Sequence, residues 1–157
     1  VGHLVLSMNI RSGIFLKSTL QLRNDEHFAS SIIYITEYNQ NGAMGFIVNK
    51  IFSRSFNELV EFSNSPSLPL WNGGPVANDK LFFIHRRADI LKQSIHVSGD
   101  IYFGGNFTEA VKLINQSIIT ENYIKLFIGY CGWDKGELEA EIEEGSWELF
   151  SKFKLFG

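Results

Sequence analysis

Asn41-Gly42, set between the apolar runs Ile32 to Tyr38 and Ala43 to Val48, constrains this chain more than any other pair of residues. Asn and Gly both accept the positive φ of a tight two-residue turn, and the flanking β-branched and aromatic residues suit paired strands. The stretch therefore predicts a β-hairpin. Every other periodic segment is short and must pack against this pair. The length, 157 residues, suits a single domain over 1–157 that needs no disulfide. Fourteen Phe, with 3 Trp and 5 Tyr, predict an aromatic-rich core.

Around the hairpin the pattern changes repeatedly. Val1 to Met8 alternates weakly, and residues 1–10 read either as a strand or as a mobile leader. Ile14 to Leu22 alternates as a strand start, and Asp25 to Ser30 reads as one helical turn. Ser55-Phe-Asn-Glu58 has the form of a capping box, with Phe56, Leu59, Val60 and Phe62 suiting a short amphipathic helix that Pro66 and Pro69 end. Leu70-Trp71 and Leu81 to His85 read as strands. Ser94 to Ser98 and Ile101 to Phe103 form a second hairpin across Gly99-Asp100. Asn106 caps a helix running to about Gln116, and Tyr123 to Ile128 is a buried strand.

Residues 137–144 fit either period, and composition decides for helix, because Glu, Leu and Ala favour helices and Glu is poor in strands. Asp134 is the expected cap and Gly145 the expected stop. Strands mostly adjoin through short turns. That predicts an α+β fold, a mixed, largely antiparallel curled sheet with short helices packed around it.

Net charge is −3, unevenly spread. Asp134, Glu137, Glu139, Glu141, Glu143, Glu144 and Glu148 against Lys135 give −6 between residues 132 and 150, leaving +3 elsewhere. The longest basic run is Arg86-Arg87, which argues against direct DNA binding, since duplex affinity rests on many phosphate neutralisations. No apolar run approaches the roughly 18 residues of a membrane span, so no membrane partner is expected. Cys131 alone cannot form an internal disulfide, which favours a reducing, cytoplasmic location.

Candidate chemistry is sparse. Cys131 has no protease signature around it and reads as a structural thiol. His3, His27, His85 and His96 lack metal-ligand spacing, so no metal and no cofactor are expected, and no catalytic residue is assigned. Glu37, Asn49, Asn72 and His85 are candidates for a polar cleft. Gly73 and Gly74, like Gly104 and Gly105, could offer backbone N–H groups to an anion, although tight turns explain both pairs more simply. Trp133 is the tryptophan expected to be partly exposed, with Trp71 and Trp147 in the core. The Glu-rich helix reads as a solvated face.

Three blocks then align with one pattern. Phe28 to Asn49, Gly73-Gly-Pro-Val76 followed by Leu81-Phe-Phe-Ile-His85, and Phe127 to Ile142 with Ser146-Trp147 resemble, in order, the signature blocks of the YqgE/AlgH family of bacterial proteins. The resemblance spans about residues 11–150. It implies a small α+β protein often labelled a transcriptional regulator on indirect grounds, with no catalytic residues to carry over. The resulting expectation is a non-catalytic regulatory domain that contacts a protein partner through the acidic helix and the Gly129-Tyr-Cys-Gly-Trp133 stretch. The competing reading is a small-molecule binder or hydrolase using the cleft of Glu37, Asn49, Asn72 and His85.

Overall fold

The computed structural model describes residues 10–151 and 153–156, so the strand or leader expected at 1–10 lies almost wholly outside the described residues. Among the described residues nine strands form the sheet: β1 (Phe15–Ser18), β2 (Ile32–Asn39), β3 (Gly42–Ile47), β4 (Leu70–Asn72), β5 (Val76–His85), β6 (Ile95–Ser98), β7 (Ile101–Phe103), β8 (Ile124–Asp134) and β9 (Trp147–Phe150). Two α-helices accompany them, α1 (Phe107–Asn115) and α2 (Glu137–Glu143). The strand order is β6-β7-β5-β8-β3-β2-β1-β9, and β4 also pairs with β8. The β4–β8 pairing is parallel and the other strand pairings are antiparallel, which is the α+β arrangement expected.

β2 and β3 form the central hairpin, but its turn lies one residue earlier than the Asn-Gly signal suggests. Asn39 pairs with Gly42, so Gln40 and Asn41 make the loop. The Asn39 side chain accepts from the Asn41 N–H at 2.7 Å, an Asx turn that supplies the reversal locally. Gly42 keeps a positive φ of 136°, and a Cβ there would collide with the Trp133 carbonyl of β8. Glycine is thus required by backbone conformation and by the neighbouring strand together. A bulge between Ile35 and Glu37 shifts the phase of β2, so Tyr38 joins Ile33 and Ile35 on one face.

The sheet curls until Gly13, just before β1, lies against Ser98 at the end of β6, where an added Cβ would strike the serine. The concave face gathers Tyr34, Phe46, Ile84, Val97 and Phe127, with Phe153, Leu155 and Phe156 packed among them. Phe46 and Phe127 are fully buried and stack at 4.5 Å, each burial being worth roughly 1.5–3 kcal/mol. The convex face carries two further clusters. One lies under α2 (Leu16, Ile33, Ile35, Trp133, Leu138, Trp147) and the other under α1 (Leu70, Phe83, Leu113, Ile114, Leu126).

Local expectations met mixed outcomes. Asn106 caps α1, accepting from Glu109 N–H at 3.0 Å. The Glu58 carboxylate accepts from Ser55 N–H at 2.9 Å, yet the chain then forms two 3-10 turns, Phe56–Glu58 and Val60–Phe62, broken by the extended Leu59. Asp25 to Ala29 form a single helical turn, closed by Ala29 N–H to Asp25 O at 3.3 Å, with the Asp25 carboxylate accepting from His27 and Phe28 N–H. α2 is helical as composition demands, but its cap is Gly136, and Asp134 instead donates its N–H to Glu137. Gly145, at φ 85°, ends it with paired bonds from Gly145 N to Ile142 O and Ser146 N to Glu141 O. β9 carries no clear alternation and exists because β1 offers it an edge.

Candidate functional site

The β-register decides which candidate residues can meet. His85 pairs with Ile124, Asn72 with Ile128, and Glu37 reaches the level of Gly132 through Met44. At about 3.3 Å per residue this spreads the three over roughly 26 Å along β8. Asn49 stands just past β3, its amide accepting from Ile32 N–H and donating to Ser30 O, which ties the hairpin to the preceding loop. Glu37 is exposed and accepts from the Asn39 side chain. Asn72 is exposed at the end of β4.

Gly73 and Gly74 are buried between strands, and a Cβ on either would collide with the backbone of Gly129 or Tyr130. Gly73 donates to Ile128 O and accepts from Ile47 N–H, so its backbone is spent on the sheet. The Cys131 thiol, 1% exposed, donates to the same carbonyl at 3.4 Å, and burial pushes its pKa to about 12. That is a structural thiol.

His85 is fully buried. Its Nδ1 accepts the Arg87 N–H at 3.0 Å, which leaves Nε2 to donate to Gly104 O, also at 3.0 Å. Both nitrogens of the neutral ring are therefore satisfied. Burial holds its pKa below the ordinary histidine value, the Gly104 bond acting the other way.

Trp133 is buried, contrary to expectation, and Trp71 is the half-exposed tryptophan. The reason lies in α2. One oxygen of Glu141 accepts from both Trp133 Nε1 (3.0 Å) and Trp147 Nε1 (2.9 Å), with the two rings edge-to-face. Glu139 accepts from the Tyr38 hydroxyl at 2.7 Å, and burial followed by that bond raises the phenol pKa to about 12. The helix is thus not a uniformly solvated face. Glu139 and Glu141 point into the fold and clamp it, while Glu137, Glu143 and Glu144 remain exposed beside Asp134.

A second arrangement has no signature motif in the sequence. Lys125 of β8 is 6% exposed, and its Nζ donates to Val48 O at 3.0 Å. It lies 4.1 Å from the centre of the Trp71 ring and 5.3 Å from that of Phe153. It lines a cavity of about 320 Å³ with Trp71, Glu121, Asn122 and Leu155. Burial lowers its pKa to about 8. The available signal is a lysine in phase with Phe127 inside a strand that reads as buried.

The fold and these sites define a class: a curled α+β sheet whose polar side chains largely secure the structure. A family model described as AlgH-like matches residues 15–154. The chain belongs to the AlgH-like family. The UPF0301 protein of Cytophaga hutchinsonii is 38% identical over 124 residues, covering 78% of this chain and 68% of that protein. The UPF0301 protein of Chlorobium limicola is 36% identical over 138 residues, covering 88% and 73%. The solution structure of the AlgH protein from Pseudomonas aeruginosa superposes with a TM-score of 0.73 at 25% identity, covering 92% of this chain and 79% of that one. A crystal structure of protein DIP2367 from Corynebacterium diphtheriae gives 0.73 at 18% identity, covering 95% and 82%, and shares the fold.

Proposed function

We propose that this domain is a non-catalytic regulatory module that acts by contact with a basic protein partner at the ridge formed by α2 and the end of β8. The observation carrying this reading is the clamped acidic helix. Like-charge pairs at i, i+4, such as Glu137/Glu141 and Glu139/Glu143, cost a surface helix about 0.2–0.5 kcal/mol each. Here Tyr38, Trp133 and Trp147 bond to Glu139 and Glu141, holding the helix in one orientation. Glu137, Glu143, Glu144 and Asp134 are thereby presented on a fixed frame, which lowers the ordering cost of meeting clustered Lys or Arg. Any effect on transcription is then indirect, exerted through that partner.

The test places a photo-crosslinking amino acid at Ala140, exposed on the ridge, in cells of the source organism. The expected result is a discrete protein adduct that disappears when Glu143→Lys and Glu144→Lys are combined in a chain with an unchanged melting temperature. Adducts indifferent to that double reversal would refute a charge-matched ridge.

A further inference from the structure

The cavity beside β8 and the residues that close it carry an inference independent of the acidic ridge. Lys125 presents three N–H donors, and Val48 O takes one of them. The ring centres of Trp71 and Phe153 lie 4.1 and 5.3 Å from the ammonium. Ring faces attract a cation but accept no full hydrogen bond, so the charge is only partly compensated for its burial. No carboxylate contributes to the lysine's titration, and burial acts alone.

The surroundings select what would complete the site. Pro69, Trp71, Ile124 and Leu155 supply apolar wall, and the exposed Glu121 and Asn122 mark its open side. The volume, about 320 Å³, lies at the small end of ligand pockets and suits a single-ring compound. A flat wall, an amide donor at the rim and one buried cation favour a planar apolar body bearing one negative charge.

We propose that this cavity binds a small aromatic carboxylate, with Lys125 as its counter-ion and Trp71 as its stacking wall. The carboxylate takes the N–H donors that Val48 leaves, and the ring replaces water against Trp71 and Leu155. Glu121 is the other ionisable group lining the cavity, and its placement at the rim disfavours a second negative charge on the ligand.

The test titrates the wild-type chain with benzoate and with its uncharged isostere benzamide, following backbone amide shifts of Trp71 and residues 121–126 by NMR. Benzoate is expected to bind at least tenfold more tightly than benzamide. With an amine titrating near pH 8, its affinity should fall roughly tenfold between pH 7 and pH 9 as the ammonium is lost. Lys125→Met should abolish the preference for the acid while leaving the weak benzamide binding. Should that variant fail to fold, the acid-amide comparison and the pH profile on the wild type still decide. Equal affinities for the two probes, no localised shifts, or a pH-independent affinity would overturn the proposal.

Discussion

Two buried ionisable residues, His85 and Lys125, show how differently one sheet can treat a polar side chain. Backbone groups on both sides satisfy the His85 ring in its neutral form, and protonation would cost it the Arg87 bond at Nδ1. The unfolded state therefore takes up a proton near the ordinary histidine pKa of about 6.5, before the folded state does. A folded pKa below the unfolded one means stability present above that value and lost as pH falls through it. The melting temperature should accordingly drop between pH 7 and pH 5.5. In His85→Gln, whose amide can accept from Arg87 and donate to Gly104, that slope should flatten. A wild-type melting point constant over this range would contradict the neutral assignment. His27 and His96 are exposed.

At the scale of elements, α2 is the segment whose composition and context pull hardest against each other. Seven residues with four Glu make a poor isolated helix. Leu138 and Ile142 bury against the sheet, and the indoles of β8 and β9 converge on one carboxylate oxygen. Glu141→Leu keeps helix propensity yet leaves two indole N–H groups without their acceptor. At about 1–3 kcal/mol for each, the loss should be on the order of 2–6 kcal/mol by urea unfolding. Glu141→Gln retains an acceptor oxygen and should lose less than half as much. Equal losses would place the stabilisation in the charge of Glu141 rather than in the indole bonds.

Across the whole molecule, charge and its engagement bear on nucleic acid. Arg86 lies 5.1 Å from the Tyr123 ring centre and 5.0 Å from that of Phe156, and donates to Asn122 O. Arg87 forks onto Asp89 at 2.9 and 3.0 Å. The one basic run is thus committed to the fold. A duplex binder gains about 0.9 in salt slope per phosphate neutralised, and the other lysines and arginines are scattered singly along the chain rather than clustered. Fluorescence-anisotropy titrations with promoter fragments of the source organism should show no sequence-selective, sub-micromolar binding at about 200 mM salt. Selective binding at that salt would defeat the indirect regulatory reading.

Sequence alone determined the elements whose causes are local. The hairpin, the Asn106-capped helix, the Gly145 stop and the helical state of 137–143 all derive from turn chemistry, caps or propensity acting within a few residues. Strands that adjoin through short turns were enough to predict a largely antiparallel sheet. Tertiary structure decided whatever depends on a neighbouring strand. Gly42 lies after the turn because Asn39 closes it, and it is excluded from carrying a side chain by Trp133 O. β9 forms only because β1 has a free edge. Trp133 is buried because Glu141, eight residues away, folds back over its indole. Register, a long-range property, separated Glu37, Asn72 and His85 along β8. Parallel pairing of β4 with β8 set Trp71 beside Lys125, and Phe153 meets the same ammonium, although the two rings lie 54 and 28 positions away in the chain; no window of sequence contains that meeting.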